Sequence, residues 1–126
     1  SEILLTSDTI VILNGKILGK PKGEEDAINM LKKLSGKIHE VLTGVCLRNS
    51  NKTYSFSVKT NVEFKELTND EIEYYVHKFK PFDKAGSYGI QEWLGFVGVK
   101  NIDGCFYNVM GLPTNAIYTA IKKEFS

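Results

Sequence analysis

The chain of 126 residues predicts a single mixed α/β domain. Three observations carry that prediction. Asn14-Gly15 stands between β-branched runs, the polar stretch "NSNK" separates two longer β-rich runs, and two segments repeat apolar residues at helical spacing.

The elements follow in order. "EILLTSDTIVIL", Asn14-Gly15 and "KIL" read as a hairpin, because Asn-Gly supplies the positive φ angles of a type I′ turn. Gly19-Lys20-Pro21 ends it. "EEDAINMLKKLSG" reads as an amphipathic helix with Ala27, Ile28, Leu31 and Leu34 on one face, acids at its start and Gly36 after its end. "HEVLTGVCLR" and "TYSFSVKTNVEFKEL" form a second antiparallel pair. Thr68 to Glu71 has the pattern of a capping box for a helix reaching about Phe79. "KPFDKAGSYGIQEWLGFVGVKNIDG" reads as an ordered functional loop that becomes a strand at "GFVGVKNI". "LPTNAIYTAIKKEF" closes the chain as a helix with Pro113 in its first turn, Ala116, Ile117, Ala120 and Ile121 inward, and Lys122 and Lys123 at the favourable end.

Lys and Arg number 16 against 15 Asp and Glu, a net charge of +1, so no global field favours nucleic acid or an anionic membrane. An anion site must be local. Cys46 and Cys105 lie far apart with no Cys-x-x-Cys or Cys/His cluster, which disfavours a structural zinc and a disulfide scaffold and fits a reducing cytoplasm. No apolar run approaches the ~20 residues of a membrane span, and "SEILLTSD" lacks the features of a signal peptide. A soluble, cytoplasmic protein is expected.

Asp8 sits inside an apolar strand, flanked by Ser7 and Thr9. It is either a surface acid at a strand edge or a carboxylate drawn towards the core, where a metal, a cation or hydrogen-bond donors must hold it. Lys20 is either a solvated turn lysine or, if the hairpin returns the chain beside its start, the base that shares a cleft with Asp8. Asp83-Lys84-Ala85-Gly86 repeats the pairing on a glycine-containing loop, as a salt-bridged turn or as part of a small-molecule site suited to a metal-bound phosphate. No GxxxxGK[ST] or GxGxxG is present. His39 and His77 have no partner at ligand spacing and are read as core or surface histidines without a role. Trp93, Phe96, Phe106 and Tyr107 are read as packing residues, not a base-stacking platform.

The stretches "SDTIVILNGKILGKP", "EEDAINMLKKLSGKIHEVLTGVCL" and "FDKAGSYGIQEWLGFVGVKNIDGCFYNVMGLP" resemble, in order and spacing, the Maf family of nucleoside triphosphate pyrophosphatases. The likeness runs nearly end to end. It implies a fold similar to that of the inosine-triphosphate pyrophosphatases: a central mixed sheet flanked by helices, with the active-site cleft between two lobes. It also implies that Asp8 is the proton acceptor that activates water and a metal ligand, that Thr9 and Gln91 choose the base, and that Lys20 contacts phosphate. Asp83 and Lys84 join them as substrate-binding residues. "DKAGSYGIQ" is similar to the branch that acts on dTTP and UTP, as distinct from 7-methyl-GTP, giving the monophosphate and pyrophosphate with Mg²⁺ or Mn²⁺ as cofactor. A homodimer follows from the same likeness.

Family members open with a strand and a Ser-x-Ser-Pro-Arg-Arg-like loop that would cradle phosphates. Residues 1–126 lack it, so they are expected to be a single Maf-like domain amounting to the C-terminal two-thirds of the family's length. An acid and a lysine of the site fall in the remaining third. Three functional classes follow: a house-cleaning pyrophosphatase, a nucleotide-binding module without turnover, and an interaction protein linked to septum formation.

Overall fold

The computed structural model describes residues 2–126. Five strands, β1 (Leu4–Leu13), β2 (Lys16–Leu18), β3 (Ile38–Arg48), β4 (Thr53–Phe64) and β5 (Val99–Asp103), form one sheet in the order β2-β1-β3-β4-β5. The hairpin turn is as expected: Asn14 and Gly15 take φ of 50° and 79°, which twists β2 back along β1 with Val11 opposite Leu18. The α/β class holds, with two differences in detail. Every neighbouring pair of strands is antiparallel, so the sheet is not mixed among the described residues. Tight turns join β1 to β2 and β3 to β4, and antiparallel partners need no crossover helix.

The helices are α1 (Glu24–Leu34), α2 (Asn69–Phe79), α3 (Trp93–Gly98), α4 (Phe106–Val109) and α5 (Thr114–Glu124). Strand alternation puts Val11, Val41, Val45, Leu47, Val62 and Phe64 on one face of the sheet, and all of them are buried. At one end of this face α1 and α2 bury Leu31, Leu34, Ile72 and Val76 in the larger apolar cluster. At the other end Ile117 and Ala120 of α5 cover Val45 and Leu47. This is the second difference: the helices lie on one side, and the opposite face carries exposed Leu4, Thr6, Ile38, Gly44 and Ser57. Between the two clusters runs a polar belt of fully buried Thr43, Thr60 and Asn108.

The capping box at α2 is complete. Thr68 Oγ1 accepts from the Glu71 N–H at 3.1 Å, and the Glu71 carboxylate accepts from the Thr68 N–H at 2.9 Å. The Lys65 ammonium beside Glu71 holds that carboxyl below its ordinary range. The stretch expected to enter a strand at "GFVGVKNI" instead winds into α3 through Gly98, and β5 starts only at Val99. Four apolar or small residues in a row fit a buried helical turn as well as a strand. Phe96, Phe106 and Tyr107 do not pack as expected: they are 81%, 43% and 54% exposed, whereas Trp93 packs edge-to-face on Tyr74 at 4.8 Å. No helix among the described residues is long and apolar enough to cross a membrane.

Candidate active site

A cavity of about 310 Å³ opens beside β1, within the size range of small-molecule sites. Asp8 and Thr9 of β1, Lys20 after β2, Asp83 and Lys84, and Gln91 all line it. Two of the three parts of the chain that wall it bring all six sequence-derived candidates together. The strand register explains the first part: with Val11 opposite Leu18, Lys20 comes level with Thr9, one residue from Asp8. The second is tied to it by the backbone, since the Gly86 N–H donates to the Gly19 carbonyl at 3.1 Å. The third wall, Val109 to Gly111, leads into α5, so the cleft separates a segment packed on the larger cluster from one that leads to the smaller.

The environment of Asp8 differs from one of its two sequence readings. Leu4 to Asp8 are all exposed, and burial of β1 begins only towards Val11. Asp8 pairs with Gly44 and so shares the strand parity of Leu4 and Thr6, on the face without helices, and its exposed carboxylate stands in solvent. Lys20, Asp83 and Gln91 are also exposed, and Lys84 is half-buried. Lys84 Nζ lies 3.5 Å from Asp83 Oδ1, so the turn ion pair and the cavity wall are the same residues. Thr9 Oγ1 is 2.9 Å from Thr43 Oγ1, which engages its hydroxyl from the side of the polar belt.

Two buried phenols hold the loop that carries Gln91. Tyr88, which lines the cavity, is bonded to His39 Nε2 at 2.6 Å. Tyr75 donates to Glu92 and accepts from the Gly89 N–H at 3.1 Å. Burial raises the pKa of both phenols above the usual tyrosine range, so both remain neutral hydrogen-bonding groups. His39, given no role from sequence, is thus a support of the cavity, whereas His77 is exposed and pairs with Glu24 at 2.8 Å. No spacing rule singles out His39. The signal available was its place on the apolar-facing parity of β3, shared with Val41 and Val45.

Burial lowers the His39 pKa from 6.5 to about 4. Between those values the unfolded chain takes up a proton that the folded chain refuses, so stability falls as pH drops from 6.5 towards 4, by up to roughly 3 kcal/mol. Above pH 6.5 the group is neutral in both states and contributes no slope. Urea unfolding of the wild type and His39→Gln between pH 7 and pH 4.5 checks this: the variant is expected to lack that share of the acid-side loss.

The cleft on this α/β scaffold carries two carboxylates and two lysines and is walled by Val11, Val41, Ile90 and Val109. The family model described as "Maf-like protein" matches residues 1–124, and the chain belongs to that family. It is 56% identical over 122 residues to a dTTP/UTP pyrophosphatase of Bacteroides thetaiotaomicron, covering 97% of this chain and 63% of that protein. It is 57% identical, at the same coverages, to one of Phocaeicola vulgatus. For one of Porphyromonas gingivalis the identity is 49%, with 97% and 61% covered. The chain therefore spans a little over three-fifths of the length of these relatives.

Proposed function

We propose that the cavity belongs to a nucleoside triphosphate pyrophosphatase acting on dTTP and UTP. The observation that carries this reading is the convergence of Asp8, Thr9, Lys20, Asp83, Lys84 and Gln91 on one cavity from two separated parts of the sequence. Asp8 takes the proton of a water that attacks the α-phosphorus. The bond from that phosphorus to the bridging oxygen breaks, and pyrophosphate leaves while the monophosphate stays behind. Lys20 and Lys84 offset the charge that builds on the phosphate oxygens. Thr9 and Gln91 face the base.

The four charged residues of the cavity are two acids and two lysines, so their own charges cancel and a triphosphate needs further positive charge. A divalent cation would supply it. Among the described residues no three metal-ligating side chains cluster. Asp8 and Asp83 are the carboxylates that would hold Mg²⁺ or Mn²⁺ carried in on the phosphates. When bound, such an ion polarises phosphoryl oxygens.

Incubation of this chain, and of the chain extended by the additional length its relatives possess, with dTTP or UTP and Mg²⁺ tests the reading. Release of pyrophosphate and monophosphate in equal amounts is expected. Nucleotide binding without product from either version would favour a binding module instead. Specificity has its own check. Gln91→Glu replaces a donor-and-acceptor amide by an acceptor, and is expected to change the ratio of UTP to 7-methyl-GTP turnover while the melting temperature stays near wild type. Equal loss on every triphosphate would contradict a role at the base.

A further inference from the structure

Asn108 is fully buried under the polar belt, and nothing in the sequence pattern marks it. Its Nδ2 donates to the Val41 carbonyl of β3 at 3.2 Å, to the Val58 carbonyl of β4 at 3.0 Å and to Thr60 Oγ1 at 3.0 Å. Turning the amide over would set its oxygen against two carbonyl oxygens, so these acceptors fix its orientation. Its Oδ1 is buried without a partner. A leucine would not carry that cost, so what Asn108 contributes lies in the three donations and not in filling space.

The backbone of Asn108 continues the connection. Its carbonyl accepts from Thr43 Oγ1 at 3.4 Å and from the Gly111 N–H at 2.9 Å. Thr43 is in turn 2.9 Å from Thr9 Oγ1. Thr9 and Gly111 both line the cavity, and Gly111 passes so near that a Cβ on it would lie 3.6 Å from Thr9 Oγ1. A continuous polar chain, Thr9 to Thr43 to Asn108 to Gly111, thus spans the cavity's base from one wall to the other. Flanking bonds keep the segment compact: the Met110 and Leu112 N–H groups donate to the Phe106 and Tyr107 carbonyls at 3.2 and 3.1 Å.

We propose that Asn108 is a positioning residue that pins the Val109–Gly111 wall to the middle of the sheet and so fixes the cavity at a width that favours a single-ring base. This deepens the proposed function and rests on it. Rigid spacing discriminates by size only while the wall cannot retreat, and the belt is what prevents retreat.

Two variants test it. Asn108→Leu removes the three donations at similar volume, and Thr43→Val keeps shape while cutting the link between Thr9 and Asn108. Amide hydrogen exchange and the dissociation constants of Mg²⁺-UTP and Mg²⁺-GTP are measured on each. In Asn108→Leu, exchange at Met110 and Gly111 is expected to quicken about tenfold or more with Leu31 and Val76 unchanged. The preference for UTP over GTP is expected to fall about fivefold or more. Thr43→Val should move both readouts the same way by less. If Asn108→Leu does not fold, Thr43→Val decides alone. Unchanged exchange at Met110 and Gly111 in a folded variant overturns the proposal, and so does a loosened wall with unchanged preference. If the wild type binds neither nucleotide, the nucleotide reading and the selectivity fall together, and exchange still decides whether Asn108 holds the wall.

Discussion

Asp8→Asn is expected to slow pyrophosphate release by about 10²–10⁴-fold, the usual range for loss of a general base, while UTP still binds. The substitution keeps size and hydrogen-bonding reach but removes charge and basicity. Because Asp8 lies on the exposed half of β1 and holds no protein partner in the cavity, stability should move by no more than about 0.5 kcal/mol. Turnover and melting temperature measured on one preparation, in the version extended to its relatives' length, separate chemistry from folding. An asparagine variant as active as wild type would make Asp8 an ordinary surface acid.

The largest structural effect is expected at Gly95. A Cβ there would sit 1.8 Å from the Ile90 carbonyl oxygen, a backbone atom that cannot swing aside. Gly95→Ala must therefore push α3 away from the Gly89–Gln91 segment, at a cost of about 1–3 kcal/mol or more. At roughly 3–6 °C per kcal/mol the melting temperature should drop visibly. Since Ile90 precedes Gln91 and both line the cavity, nucleotide binding should weaken as well. A variant with wild-type melting temperature would mean that the close approach of α3 to Ile90 is not held in solution.

The periodic parts of the fold were legible because short-range physics decides them. Asn14-Gly15 sets the first hairpin, the capping box sets the start of α2, and the 3.6-residue repeat of Ala27, Leu31 and Leu34 matches the buried face of α1. The helical turn at Trp93–Gly98 was not legible, since a run of four apolar or small residues fits a helical turn as well as a strand. Sequence also left the exposure of Asp8 open between two readings. An apolar strand shows only that one face is covered, and Asp8 shares the parity of Leu4 and Thr6 on the face that carries no helix.

The candidate site divides in the same way. Asp8 stands out as a carboxylate inside an apolar strand, and Lys20, Asp83 and Lys84 as charged residues beside turns, so residue chemistry alone picks them out. Their convergence came from register and from the Gly86–Gly19 bond. His39 and Asn108 act through partners 49 and 48 residues away, Tyr88 and Thr60, so no spacing in the chain could reveal them. Gln91 and Thr9 were noticed only through resemblance, because an exposed glutamine and a strand threonine carry no distinctive pattern.

The most direct test of the nucleotide site is a heteronuclear NMR titration of this chain with UTP and Mg²⁺. The amide signals of Gly86, Gly89, Gln91 and Gly111 are expected to shift together and saturate, while those of Lys22 to Asn29 on the far side of the Pro21 turn stay in place. Saturable shifts confined to Lys22–Asn29, or none at any of these positions up to millimolar UTP, would contradict the account.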